Sequence, residues 1–122
     1  MRMARVLVVD DNADIASILA ALIQVVGHEA RFCLDCREAL ELTRSSKPDV
    51  VFIDIAMPHI NGFECARQLR DQLGPSVRLI AMSGYPRDSW QNEPNVFEQY
   101  LLKPVTSKTV IQLIGESPDR KK

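Results

Sequence analysis

Five polar positions, far apart in the chain, stand directly after short and mostly apolar runs. Asp10 and Asp11 follow Arg5 to Val9, Asp54 follows Val50 to Ile53, Ser83 follows Val77 to Met82, and Lys103 follows Tyr100 to Leu102. The runs are too short for helices and rich in valine and isoleucine, which marks strands buried on both faces. In an open parallel α/β sheet, ligands bind beyond the carboxyl ends of the strands. One topological rule therefore delivers all these groups to one edge. Three carboxylates crowded there repel one another, and one pKa rises unless a cation intervenes. Magnesium suits such a place, because it takes oxygen ligands and uses one or two carboxylates together with phosphate oxygens. A carboxylate beside such an ion and a lysine is suited to attack phosphorus. The metal, the lysine and a hydroxyl can then share the phosphoryl oxygens. Asp54, Lys103 and Ser83 supply that inventory.

The segments between these runs must place them. From Ala13 onward, Ile15, Ile18, Leu19, Leu22 and Val26 recur at helical spacing until Gly27. Glu29 to Leu34 reads as a second strand. Cys36, Ala39, Leu40 and Thr43 mark a second helix, closed by Ser45-Ser46-Lys47-Pro48. Gly62, Ala66, Leu69 and Leu73 share one face of a third, which stops at Gly74-Pro75, and Val110, Leu113 and Ile114 give a last short helix. Strand and helix alternate, so the expected fold is α/β: a five-stranded parallel sheet with helices on both faces and right-handed crossovers. Pro86 and Pro94 interrupt the fourth connection, leaving room for about two helical turns, roughly Arg87 to Asn92. Residues 1–122 read as a single domain, with a core of about 4–115 and a polar tail, 116–122.

Composition narrows the function. With 122 residues, 46% hydrophobic, the chain can bury a real core. Fifteen basic against sixteen acidic residues argue against a nucleic-acid-binding surface. No apolar run approaches the roughly 20 residues of a membrane span, and no signal peptide is visible. The odd cysteine count, Cys33, Cys36 and Cys65, suits a reducing cytosol. Cys33-Leu34-Asp35-Cys36 has CxxC spacing, but no second pair or nearby histidine completes a metal site. The cysteines are expected as small buried or half-buried residues.

Taken singly, each position has a plainer explanation. Asp10 and Asp11 could cap a helix, Asp54 could be a turn residue, Lys103 a solvated lysine and Tyr100 a half-buried strand aromatic. Met57-Pro58 and Asn61-Gly62 are turn chemistry, and His59 is expected as a solvated loop histidine. Trp90 could cover the core or meet a partner.

Taken together, Val6-Leu7-Val8-Val9-Asp10-Asp11-Asn12, Asp54-Ile55-Ala56-Met57-Pro58 with Asn61-Gly62, Ser83-Gly84, and Tyr100-Leu101-Leu102-Lys103-Pro104 resemble the successive motifs of response-regulator receiver domains. The similarity runs from about residue 5 to 115, in order. It implies a flavodoxin-like (βα)5 fold with Asp54 as phosphoacceptor. It implies that Asp11 is a direct metal ligand, with Asp10 reaching the metal largely through water. Ala56 would offer a backbone carbonyl to the metal, Mg2+ or Mn2+. Ser83 matches the hydroxyl that turns toward the phosphoryl group, and Lys103 the lysine that pairs first with the aspartate and then with the phosphate. Pro104 matches a proline usually preceded by a cis bond, and Tyr100 the switch aromatic.

The function this implies is a cytoplasmic signalling switch. It would take a phosphoryl group from a histidine kinase or a histidine phosphotransfer domain, and catalyse both the transfer and its later hydrolysis. Direct nucleic-acid binding and membrane insertion are not expected. A stand-alone receiver, or one cut from a longer protein such as a hybrid histidine kinase, fits the chain. Ala56 and Tyr85 flank the approach of a hydrolytic water and should influence the lifetime of the phosphoryl group. Two other classes compete: an interaction module that keeps the fold without handling phosphate, and a phosphatase with an aspartate nucleophile. The latter generally carries an acidic residue two positions after the nucleophile, where this chain has Ala56.

Overall fold

In the computed structural model, residues 3–85 and 96–115 are described. They form β1 (Arg5–Val9), α1 (Ala13–Val25), β2 (Glu29–Cys33), α2 (Cys36–Ser45), β3 (Val50–Asp54), α3 (Gly62–Leu73), β4 (Arg78–Ser83), β5 (Gln99–Leu102) and α4 (Ser107–Gly115). The expected short helix at Arg87 to Asn92, Trp90 and the tail 116–122 lie outside the described residues.

All strand pairs are parallel, in the order β2-β1-β3-β4-β5. The order reverses between β1 and β3, which opens a crevice at the carboxyl ends of those two strands. Strand side chains alternate between faces. Val6, Val8, Val50, Phe52, Ile80 and Met82 meet α1 and α4, whereas Leu7, Val9, Val51, Ile53, Leu79 and Ala81 meet α2 and α3. Both faces are covered, so apolar residues fill most positions of β1, β3 and β4 and no hydrophobic alternation is visible in the sequence.

Side chains fix where the helices begin. Asn12 Oδ1 accepts the Ile15 N–H (3.1 Å), Asp35 Oδ1 the Glu38 N–H (2.8 Å) and Asn61 Oδ1 the Glu64 N–H (2.9 Å). Each N-cap satisfies a first-turn donor that has no partner within the helix. Helix α3 ends at Gly74, whose φ of 86° lies where a side chain is disfavoured.

Two features depart from the expectations. Arg78, inside a run read as apolar, is buried. Its guanidinium pairs with Glu98 (2.8 Å) and donates to the Leu113 carbonyl (2.7 Å), tying β4 to the start of β5 and to α4. The cysteines are buried as expected, but Cys36 is bonded to Cys65 across α2 and α3, and only Cys33 keeps a free thiol. The packing of two helices sets that pairing, which the CxxC spacing does not reveal.

Candidate functional site

Asp10 follows β1 directly and is fully buried. Its Oδ1 accepts the Asn12 N–H (3.0 Å), which fixes the turn into α1 and leaves Asp11 exposed at the rim. Asp54 closes β3 and is buried, with Oδ1 accepting the Ala56 N–H (3.1 Å). One carboxylate oxygen from each of Asp10, Asp11 and Asp54 lies within 4.8 Å of the others. Lys103 follows β5 and brings Nζ to 3.2 Å from Asp10 Oδ2 and 3.2 Å from Asp54 Oδ2. Its backbone N–H donates to the Ser83 carbonyl (2.6 Å), so the ends of β4 and β5 are joined beside the site. The Lys103–Pro104 peptide is cis.

The electrostatics follow from crowding. Burial raises the Asp54 pKa above its ordinary value and the Asp10 charge adds to this, while Lys103 and the Ala56 amide oppose it. Burial alone would lower the Lys103 pKa, but Asp10 and then Asp54 outweigh it and hold the ammonium above its ordinary value. The lysine therefore stays charged and bridges two carboxylates. Three clustered carboxylate oxygens are hard donors of the kind magnesium takes, so the residues fit such an ion.

The remaining predicted residues divide. Ser83 is buried at the end of β4, and its Oγ accepts the Tyr85 N–H (3.0 Å), so the hydroxyl is engaged with its own turn. Ala56 is exposed in the loop after Asp54. Tyr100 is half-buried, with its ring centroid 5.6 Å from Phe97 and 6.4 Å from Phe63. His59 is exposed, as expected. With a φ of 73° and the Ile60 N–H on the Pro58 carbonyl (2.8 Å), it centres a strained γ-turn.

Gly62, expected as turn chemistry and as the first residue on the buried face of the third helix, does more. Its N–H donates to the Ile55 carbonyl (2.9 Å), and a Cβ here would meet the Asp54 carbonyl oxygen and the Ile55 Cα at 2.7 Å. Helix α3 thus begins in direct contact with the backbone that carries Asp54. Beside Lys103, an apolar cleft of about 430 Å³ opens between α1 and the segment after β5, lined by Ile15, Ile18, Leu22, Met82, Pro104 and Val105.

A parallel sheet with an acidic trio and a lysine at its carboxyl edge defines a class, and comparison with known proteins identifies it. Residues 6–115 match the family model described as response regulator receiver domain, and the chain belongs to that family. It is 33% identical over 116 residues to protein PilH of Pseudomonas aeruginosa, covering 93% of this chain and 96% of that one. Among solved structures, the chemotaxis response regulator CheY4 of Vibrio cholerae superimposes with a TM-score of 0.82 at 27% identity, over 93% of this chain and 97% of that one. The response regulator TrrA of Thermotoga maritima, solved in complex with Mg2+ and BeF, gives 0.79 at 27% identity, over 92% and 96%. The expected family and fold are borne out, and the chain is a receiver domain of the two-component type, a signalling switch whose family serves as phosphoacceptor. No helix among the described residues is long and apolar enough to cross a membrane.

Proposed function

We propose that Asp54 is the phosphoacceptor, and that the chain itself catalyses both transfer and later hydrolysis. The observation that carries this is the Lys103 ammonium lying 3.2 Å from both Asp10 and Asp54 at a buried edge. An oxygen of the Asp54 carboxylate attacks phosphorus. The P–N bond to a donor imidazole breaks as the P–O bond to Asp54 forms, and the imidazole leaves with the bonding pair. Lys103 shifts from the carboxylates to the new phosphoryl oxygens, and Ser83 Oγ turns from the Tyr85 amide to donate to them. Asp11, Asp54, the Ala56 carbonyl and, through water, Asp10 would hold Mg2+ or Mn2+. When bound, the ion supplies positive charge against the phosphoryl oxygens.

The donor is a histidine kinase or histidine phosphotransfer domain, and the setting is cytoplasmic. Its imidazole must reach Asp54, and the apolar cleft beside Lys103 offers the α1 side chains Ile15, Ile18 and Leu22 as the adjoining docking face. The output runs through Tyr100, which changes rotamer once Ser83 and Lys103 are drawn inward. Direct nucleic-acid contact has no part in this reading. Incubation with acetyl phosphate and magnesium should add one phosphoryl group by intact mass, and chelation of the metal should prevent it. A gain that survives Asp54→Ala would overturn the assignment.

A further inference from the structure

The seam between α2 and α3 carries a pair of groups with no part in phosphoryl chemistry. Cys36 is the first residue of α2 and Cys65 lies in the first turn of α3. They are buried and bonded, with Cα atoms 5.7 Å apart. Cys33 is near in sequence but stays unbonded, with its Sγ donating to the Asp35 carbonyl (3.7 Å).

The seam does not depend on the bond. At its far end Gln72 Nε2 donates to the Leu40 carbonyl and to Thr43 Oγ1, both at 2.9 Å, and Ala39, Ala66 and Leu69 pack in the core between. Opening the bond therefore leaves the two sulfurs side by side, and closing it again is an intramolecular step. The attackable end is Cys36. It stands at the tip of its helix, held by the Asp35 cap on the Glu38 N–H and by Glu38 Oε1 on the Leu34 N–H (3.1 Å), and helix ends are where local opening is least costly. The other end matters to the site. Cys65 is one turn from Gly62, whose amide binds the Ile55 carbonyl next to Asp54.

We infer that Cys36 and Cys65 form a reversible thiol–disulfide exchange site for small disulfide oxidants of the glutathione class, and that the closed bond stiffens the start of α3 beside Asp54. In closing, the Cys36 thiolate attacks one sulfur of the oxidant and releases the first thiol. Cys65 then attacks the Cys36 sulfur of the mixed disulfide and releases the second. Two protons and two electrons leave the cysteines, and the oxidant is reduced to two thiols. Opening is the reverse.

The test uses the full chain, folded throughout, in excess oxidised and then excess reduced glutathione. Samples are acid-quenched, unfolded, alkylated and weighed. After oxidised glutathione one thiol, Cys33, should alkylate, with peptide mapping linking Cys36 to Cys65. After reduced glutathione all three should alkylate, and the cycle should repeat. Three free thiols after oxidation, a Cys33–Cys36 link, or a bond that opens only on unfolding would overturn the exchange site. Cys65→Ser should trap one glutathione on Cys36, and uptake of none contradicts attack there. Amide exchange at Gly62 and Phe63 should be roughly tenfold slower in the closed form. Equal rates would overturn the stiffening.

Discussion

At the scale of single residues, the site is a balance of charges under strain. Asp54 is buried beside Asp10, and both facts raise its pKa. The sign of the consequence is definite. A carboxyl whose folded pKa exceeds its unfolded value costs nothing below the unfolded value, near 3.8, and destabilises the fold progressively as the pH rises through the folded value. Asp54→Asn removes that charge, so in the absence of divalent ions it should stabilise the protein at pH 7, by about 1 kcal/mol. The advantage should vanish at the acid end, below the unfolded value, as followed by urea denaturation at several pH values. Loss of stability at pH 7 would mean that the Lys103 pair outweighs burial and repulsion. Asp10, Asp11, Asp54 and Lys103 were legible in the sequence because each ends an apolar run, and chain topology brings such ends together. Arg78 was not, because nothing in an apolar run tells that a guanidinium within it is buried against Glu98 and the Leu113 carbonyl.

At the scale of elements, the loop from Asp54 into α3 is held by contacts that leave little slack. Asn61 caps the helix, and Gly62 leaves no room for a side chain against the Asp54 and Ile55 backbone. The atoms a methyl would strike are main-chain atoms, which cannot swing aside. Gly62→Ala should cost about 2 kcal/mol, within the range for overpacking a close contact, and should slow phosphorylation because the shifted backbone carries Asp54. Chemical denaturation and the initial rate with acetyl phosphate check the two halves. Whereas the caps at Asn12, Asp35 and Asn61 show only in the structure, the central strands could be read from apolar runs and the helices from helical spacing and the Gly and Pro residues that stop them. The close approach at Gly62 could not, since Asn-Gly also suits an ordinary turn and only the packing of α3 on β3 reveals the contact.

At the scale of the whole molecule, two apolar layers flank the sheet, one under α1 and α4 and one under α2 and α3. The fold class was legible because parallel sheets covered on both faces need uninterrupted apolar strands. The Cys36–Cys65 link was not, because helix packing brings together cysteines 29 positions apart. Closing a loop of that length stabilises by about 3–4 kcal/mol in the chain-entropy account. Reduction should therefore lower Tm by roughly 10 °C, read by circular dichroism with and without dithiothreitol, and an unchanged Tm would show that the crosslink adds no net stability. The central claim remains that one carboxylate, aimed by strand ends and countered by Lys103, takes the phosphoryl group. After phosphorylation with acetyl phosphate and magnesium, borohydride reduction turns an aspartyl phosphate into homoserine, which peptide sequencing can place. Homoserine at position 54 alone is the predicted result; homoserine at position 10 or 11, or at none of the three, would contradict it.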